Sequence, residues 1–262
     1  MILTLDIGGT HIRIAIISNG KIKDKRQIPT PKKKSEIISS IENLISSYDL
    51  SKIENISLGV PGTIKNNKII GANNTDINGL DFKKILQKKF GLPIFIDNDA
   101  NCAALGEIHY GHGKKYRNFI MLTLGTGIGG AIIISRKIFR GNSSAGEFCN
   151  MLIDKKRFEE SVSASTLRKI AKNSGMKNAY TKIGEKLGIG ILNLTYVLDP
   201  EIVILGGGIS NAKDIYPPIQ KIMKEKDILK RNIHVIKAKL GNNAGLIGAS
   251  LLKNEEHNKR KR

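Results

Sequence analysis

The sequence has no tryptophan and only two cysteines, and aromatic residues make up 5% of its 262 residues. The isolated Cys102 and Cys149 exclude a disulfide framework and a cysteine-rich zinc cage. No apolar run reaches the roughly 18 residues of a membrane-spanning helix. The first ten residues carry Asp6 inside their apolar run, which is unlike a signal peptide. These absences predict a soluble cytoplasmic protein with no membrane partner.

Acidic residues are scarce relative to basic ones, because 23 Asp and Glu oppose 43 Lys and Arg and leave a formal net charge of +20. The basic residues cluster in 21–34 and in the final KRKR. They are not interleaved with aromatic residues, and the chain has no recognisable nucleic-acid-binding motif. A solvated lysine-rich surface is the favoured interpretation, ahead of long-range attraction of an anionic substrate and of a nucleic-acid partner. The charge alone does not decide the function.

Two segments of the chain resemble each other. LTLDIGGTHIRIAII begins at Leu3, and LTLGTGIGGAIII begins at Leu122. Each predicts a buried strand, a turn of glycine and threonine, and a second apolar strand. A duplicated hairpin predicts two related α/β domains that face each other across a ligand-binding cleft.

Strands and helices are predicted to alternate, which is typical of the α/β class. Ser35 is the predicted N-cap of an amphipathic helix, and Asp81 begins another helix that ends at Gly91. Ser163 or Ser165 begins a helix that Gly175 ends. The further predicted elements are a strand at 56–60, a helix from about 180 to 198, a strand that enters a glycine turn within 201–210, and a last helix at 244–253. The predicted division is a smaller domain at 1–109 completed by the helix at 243–253, a larger domain at 110–242, and a basic tail at 254–262.

The first glycine turn follows an acidic residue. Glycines at 8 and 9 would let backbone N–H groups approach phosphate oxygens, and Thr10 would add a hydroxyl. Asp6, at the end of the strand, could hold Mg²⁺ directly or through water. A tight hairpin with a capping acid is the alternative explanation for the same residues.

The second glycine turn, at 125–130, has Gly125 where the first has Asp6. Two phosphate-binding turns with one acid suit a single Mg-nucleotide bound between the domains. A third glycine run, at 206–208, leaves room for a flat ring or a close backbone approach. Each run taken alone is more often only a turn, and none matches the Walker pattern.

Polar residues directly follow the apolar strand predicted at 94–96. Ligands of open α/β sheets bind beyond the carboxyl ends of the strands, where Asn98 and Asp99 would lie. A carboxylate facing a nucleotide is useful if it takes a proton, and the hydroxyl that attacks a γ-phosphate supplies one. Asn98 could donate to and accept from sugar hydroxyls. A helix N-cap at Asp99 is compatible with the same residues.

In order, the motifs are DIGGT, VPG, IDNDAN, LGTGIGG, AGE, FEESVS, LGGG and AGLIGA. This ordered set resembles the ROK family (repressor, open reading frame, kinase) over residues 2–252, nearly the whole chain. The resemblance implies the two-domain actin-like (ribonuclease H-like) ATPase fold of hexokinases, with a cleft between the domains. It also implies a sugar kinase that uses ATP and Mg²⁺.

The resemblance implies a role for each motif. Asp99 would be the catalytic base, and Asp6 would help to bind Mg²⁺. The residues implied near the nucleotide are Gly8, Gly9, Thr10, Thr126, Gly127, Gly207 and Gly208. The residues implied at the sugar are Asn73, Asn98, Asp99, Glu147, Asn150 and Glu159.

One segment, AGEFCNM at 145–151, departs from the family pattern. Relatives read GE-x-GH there, and their histidine contacts the sugar and binds a structural zinc, whereas this chain has Cys149 and Asn150. The cysteine-rich loop of the zinc site is replaced by the basic segment LIDKKRFEE. We therefore expect no zinc, and we expect His109 and His112 to be loop residues rather than ligands. Asn150 would bond a sugar hydroxyl with a different geometry.

The leading hypothesis is ATP-dependent phosphorylation of the 6-hydroxyl of a hexose, with glucose ahead of fructose, mannose and N-acetylated hexosamines. The alternative is a sugar-responsive regulator or sugar-binding protein of the same family. Repressor members carry a helix-turn-helix ahead of the first hairpin. Here that hairpin begins at Ile2, which favours the kinase. The expected partners are a small sugar and a nucleotide, and the resemblance suggests a homodimer.

Overall fold

The computed structural model describes residues 1–255. Most of the predicted basic tail at 254–262 therefore lies outside the described residues. The chain forms two compact units, one made of Met1–Tyr110 together with the segment that begins at Asn243, and the other of Gly111–Asn242. Both units mix strands and helices, so the predicted α/β class is confirmed.

The elements follow one another along the chain as follows. The strands are β1 (Ile2–Ile7), β2 (His11–Ser18), β3 (Lys21–Pro29), β4 (Asn55–Val60), β5 (Thr63–Lys65), β6 (Lys68–Ile70), β7 (Ile94–Asn98), β8 (Phe119–Leu124), β9 (Ile128–Ile134), β10 (Lys137–Phe139), β11 (Leu152–Ile153), β12 (Lys156–Arg157), β13 (Ile202–Gly206) and β14 (His234–Lys237). The helices are α1 (Lys34–Ser46), α2 (Phe82–Phe90), α3 (Asp99–Tyr110), α4 (Phe158–Val162), α5 (Ala164–Ser174), α6 (Met176–Leu198), α7 (Tyr216–Lys226) and α8 (Ala244–Ala249). Within residues 1–255, no helix is both long and apolar enough to cross a membrane.

Each unit is built on a five-stranded mixed sheet. The strand order is β3-β2-β1-β4-β7 in the first unit and β10-β9-β8-β13-β14 in the second. In the first sheet β1 pairs antiparallel with β2 and parallel with β4. In the second, β8 pairs antiparallel with β9 and parallel with β13. The two sheets therefore have the same topology, and both hairpins predicted from the repeated segments are confirmed.

Apolar helix faces cover the sheets. Helix α1 buries one face at a spacing of four residues, formed by Ile37, Ile41 and Ile45. These side chains belong to the same core cluster as Leu3 and Leu5 of β1. In the second unit α6 contributes Ile183, Leu187 and Ile191 to the core. Full burial of one such side chain contributes about 1.5–3 kcal/mol to the free energy of folding. These apolar faces therefore hold the helices against the sheets.

Most predicted helix ends are confirmed. The side chain of Asp81 accepts a hydrogen bond from Lys84 N at 2.9 Å, and Gly91 ends α2 at φ 70°. Ser163 caps α5, and Gly175 follows its last residue. The long helix α6 begins at Met176, earlier than predicted, because Gly175, which follows α5, is also the N-cap of α6.

The predicted cap at Ser35 is wrong. Helix α1 begins at Lys34, and the side chain of the preceding Lys33 makes no capping bond. Instead, Lys34 N donates to the carboxylate of Asp76 at 3.1 Å. An acid from a distant loop therefore satisfies a backbone donor at the start of this helix.

A buried acid, Asp227, organises the segment after α7. Its Oδ1 accepts hydrogen bonds from Tyr196 Oη at 2.8 Å and from Arg231 Nη2 at 3.2 Å. Burial would raise the pKa of Asp227, but the hydrogen bonds from Arg231 and Tyr196, with those from backbone N–H groups, outweigh it and hold the pKa at about 2. The guanidinium of Arg231 also lies over the ring of Tyr196, 4.4 Å from its centroid.

We expect Asp227→Asn to remove one part of the pH dependence of stability. The folded pKa of Asp227 lies below the roughly 3.9 of an unfolded aspartate, so its stabilisation is present above about pH 4 and is lost as the pH falls towards 2. The free energies of unfolding of the two proteins should therefore differ at neutral pH and converge as acid is added. Denaturant titrations at several pH values measure this. A difference that stays constant from pH 6 to pH 2 would contradict it.

Candidate functional site

In the first unit, Asp6 lies near the carboxyl end of β1 and is paired with a cation. Arg13 stands directly opposite it in the register of β1 and β2. Arg13 Nη1 donates to Asp6 Oδ2 at 3.0 Å. Burial raises the pKa of Asp6, although Arg13 and Lys25 act to lower it. The acid predicted to bind Mg²⁺ thus forms an ion pair with Arg13.

The first glycine turn is held from two directions. Gly8 N donates to His11 O at 2.9 Å, and Thr30 Oγ1 donates to Gly8 O at 2.6 Å. A Cβ on Gly9 would lie 3.1 Å from the backbone oxygen of Asn74, so this loop packs against the turn. The exposed Thr10 follows directly. None of the sequence motifs indicates Asn74, although it directly follows the predicted Asn73, which is also exposed.

At the end of β7, Asn98 caps α3. Its Oδ1 accepts from Ala100 N at 2.9 Å and Asn101 N at 3.1 Å, and its Nδ2 donates to Gly62 O at 3.0 Å. These bonds use both lone pairs of the amide oxygen and one of the two amide hydrogens. The remaining amide hydrogen of Asn98 is therefore the group that it can donate to a hydroxyl of a ligand.

Asp99 is the first residue of α3 rather than its cap. It is half-buried, and its Oδ1 accepts from Ala100 N at 2.8 Å. Asp97 instead supports the turn, since its Oδ1 accepts from Asn98 N at 2.8 Å and from Asn101 Nδ2 at 3.0 Å. The three polar residues at the end of β7 and the start of α3 thus have three different environments.

The strand register places Asp6 and the segment that leads to Asp99 at the carboxyl-terminal ends of the parallel strands of the first sheet. Asp6 pairs with Gly59 of the parallel strand β4, and Gly59 pairs with Asp97 of the parallel strand β7. Because neighbouring strands lie about 4.8 Å apart, the backbones at Asp6 and Asp97 are about 10 Å apart. Asp99 follows two residues later, beyond the carboxyl end of β7. Asp6 and Asp99 therefore lie at the same end of the first sheet, at the outer two of three neighbouring parallel strands.

In the second unit, Glu159 supports the second glycine turn. Its Oε2 accepts from Ile128 N at 3.1 Å, and Gly125 O accepts from Ala164 N at 3.0 Å. Thr126 at the tip is exposed and Gly127 is half-buried. One of the acids expected at the sugar therefore also fixes the turn expected at the phosphates.

The third glycine run lies beside the second. Gly207 has φ 81°, and a Cβ there would overlap the backbone of Leu124, the residue before the second turn. Gly208 has open space around its Cα. The second and third runs, far apart in sequence, thus form one glycine-rich surface of the second unit.

Glu147, Cys149 and Asn150 share one short helical turn. Cys149 Sγ donates to Glu147 Oε2 at 3.5 Å, and Asn150 N donates to Glu147 O at 3.2 Å. Burial, and then the negative charge of Glu147, raises the pKa of the Cys149 thiol to about 12. Cys149 therefore stays a thiol and donates to the acid, while the side chain of Asn150 is exposed.

Few acids and histidines lie close enough together to bind a metal ion. In the described part of the chain, no three His, Cys, Asp or Glu side chains form a group that could hold a metal ion. The expectation that His109 and His112 are loop residues is wrong, because His109 lies in the last turn of α3 and His112 in a short 3-10 turn after it. Mg²⁺ that arrives on phosphates needs only one or two protein carboxylates, and Asp6 provides one. Asp6 therefore fits a magnesium ion that a nucleotide would carry. The absence of zinc stays a prediction.

The model of the ROK family matches residues 2–161 and 150–256 of the sequence. The chain belongs to the ROK family. Among its relatives are an uncharacterised protein of Clostridium perfringens, 34% identical over 97% of this chain and 98% of the relative, and the glucokinase of Halalkalibacterium halodurans, 30% identical over 97% and 95%. The xylose repressor of Bacillus spizizenii is also a relative, 30% identical over 84% of this chain and 64% of the repressor. The ROK relatives of this chain thus include both kinases and repressors.

A solved structure of the family supports the fold. The ROK glucokinase of Streptomyces griseus, in complex with glucose and AMPPNP, matches this chain with a TM-score of 0.85 and 26% identity. The match covers 96% of this chain and 99% of that structure. The predicted actin-like fold is confirmed.

Proposed function

We propose that this ROK protein is an ATP-dependent sugar kinase that phosphorylates the 6-hydroxyl of a hexose, with glucose as the first candidate. The observation that carries the proposal is the edge of the first sheet, where Asp6 and the segment leading to Asp99 lie in register across three parallel strands. A kinase needs an acid on the phosphate side and a base on the side of the acceptor. The similarity to glucokinases supports the same conclusion.

Asp99 is the proposed general base. It begins the helix α3, and a helix amino terminus stabilises an anionic side chain. An ionised carboxylate there can accept the proton of a sugar hydroxyl as that oxygen attacks the γ-phosphate. The backbone hydrogen bond from Ala100 N fixes one oxygen.

The remaining site residues are assigned to the sugar and to the nucleotide. Asn98 offers an amide hydrogen to a sugar hydroxyl, and the other proposed sugar contacts are Asn73, Glu147, Asn150 and Glu159. The proposed phosphate contacts are Gly8, Gly9, Thr10, Thr126 and Gly127, and the proposed adenosine contacts are Gly207 and Gly208. Asp6 would hold Mg²⁺, which when bound neutralises charge on the transferring phosphates.

The second candidate is a sugar-responsive regulator. The relationship to a xylose repressor and the net charge of +20 favour it. A regulator would bind duplex DNA with an affinity that falls steeply with salt and changes when a sugar binds. A kinase would release ADP without any DNA.

A coupled assay of ADP release across a panel of sugars tests the proposal. The panel contains glucose, fructose, mannose and N-acetylated hexosamines, with 6-deoxyglucose as the matched control that lacks only the acceptor hydroxyl. Inorganic polyphosphate replaces ATP in a parallel series. We expect turnover with glucose and none with 6-deoxyglucose. A chain that turns over no hexose or amino sugar with either donor, and whose DNA binding responds to sugar, is a regulator instead.

A further inference from the structure

Arg13 is charged and lies at the proposed site, but no step of the proposed function uses it. It stands opposite Asp6 across the first hairpin, so the strand register itself brings the two side chains to the same face of the sheet. Its Nη1 donates to Asp6 Oδ2 at 3.0 Å. The two side chains are 25% and 14% exposed, so water screens this pair less than it screens a surface pair.

The surroundings of Asp6 narrow the approach to its carboxylate. A Cβ on Gly245 would lie 3.3 Å from Asp6 Cγ and Oδ1, so the start of α8 packs closely against the acid. Lys25 adds a second positive charge, and its Nζ donates to Asn243 Oδ1 at 2.9 Å. Oδ2 of Asp6 therefore accepts a hydrogen bond from the Arg13 guanidinium, and Oδ1 lies beside the backbone of Gly245.

A divalent ion would compete with Arg13 for the same lone pairs. Mg²⁺ binds carboxylate oxygens at about 2.0–2.1 Å and gives up its water reluctantly. A guanidinium already bonded to Oδ2 uses part of that oxygen and repels a second cation nearby. When the metal comes with the negative charges of a polyphosphate, the repulsion is offset.

We propose that Arg13 is a built-in cation that prevents Asp6 from holding a divalent metal on its own, so that the metal enters the site only together with the phosphates of the nucleotide. This inference rests on the proposed function only in placing Asp6 on the metal side. The binding of metal to the nucleotide-free protein tests it without any kinase activity.

The experiment is a titration of the full chain with Mn²⁺ alone, followed by electron paramagnetic resonance, in the absence of nucleotide and sugar. We expect Arg13→Gln to bind Mn²⁺ at least about tenfold more tightly than the wild type, because a nearby positive charge is removed. Arg13→Lys keeps the charge and should behave like the wild type. The double variant Arg13→Gln with Asp6→Asn should lose the gain.

Lys25→Met is the matched control, since Lys25 is a neighbouring cation that bonds Asn243 rather than Asp6. It should increase Mn²⁺ affinity less than Arg13→Gln does. The proposal is overturned if Arg13→Gln binds Mn²⁺ no more tightly than the wild type, or if the gain survives Asp6→Asn. Thermal melts confirm that each variant is folded, and Arg13→Met, judged by the same criterion, replaces Arg13→Gln if that variant unfolds. A failed sugar assay with a positive Mn²⁺ result would overturn the kinase proposal and leave the role of Arg13 intact.

Discussion

Replacing Asp99 by asparagine is expected to lower kcat by about 10²- to 10⁴-fold, the usual contribution of a positioned general base. Asparagine has the same shape and can still accept the hydrogen bond from Ala100 N, but its amide does not take up a proton at neutral pH. The coupled ADP assay measures the loss, and calorimetry of glucose binding measures whether the sugar still binds. We expect the affinity for glucose to change only a few-fold.

Asp81→Asn is the matched control for this experiment. It makes the same chemical change at a helix N-cap, where Asp81 accepts from Lys84 N and where asparagine caps about as well as aspartate. It should leave kcat unchanged. If Asp99→Asn keeps more than a tenth of the wild-type kcat, Asp99 is not the base and the mechanism is wrong.

Gly248→Ala is expected to cost about 3 kcal/mol or more of unfolding free energy, because it forces overpacking between two backbones. A Cβ on Gly248 would overlap the carbonyl oxygen of Cys102 and lie 2.8 Å from Gly106 N. Backbone atoms of α3 cannot rotate away as a side chain can, so the two helices must separate. Since α3 also carries Asp99, activity should fall together with stability. Denaturant unfolding measures the change.

Gly208→Ala is the control for stability. Gly208 has φ −62°, and a Cβ there meets no atom within 4 Å. Its free energy of unfolding should stay within about 0.5 kcal/mol of the wild type. Equal denaturation midpoints for the wild type and Gly248→Ala would show that the contact between α3 and α8 is looser than described.

The sequence predicts the elements of this fold well where the signal is local. The repeated hairpins are confirmed because alternating apolar residues and glycine turns specify strands without help from distant contacts. Asp81, Gly91 and Ser163 are recognisable for the same reason, since each acts on backbone groups within a few residues. The hairpin also contained the signal for the pairing of Asp6 with Arg13, because the two residues lie symmetrically about the turn.

The remaining features depend on contacts that no local pattern encodes. The donor at the start of α1 is satisfied by Asp76, more than forty residues away in the chain. Asn98 binds Gly62 O, a contact that appears only once β4 and β7 are paired. Asn74 lies against Gly9 because a loop folds back onto the turn. In each case the partner is brought close by the sheet, and only the structure shows it.

The environments of the two thiols have a practical consequence. Cys102 and Cys149 are both buried, and the thiol of Cys149 stays protonated at neutral pH because its pKa is about 12. Alkylating reagents attack thiolates, so a cysteine introduced on the surface would be labelled selectively without replacing either native one. The absence of tryptophan similarly leaves only six tyrosines as intrinsic fluorophores, so the emission of one engineered indole beside Asn74 could be excited selectively to test the proposed binding of sugar and nucleotide.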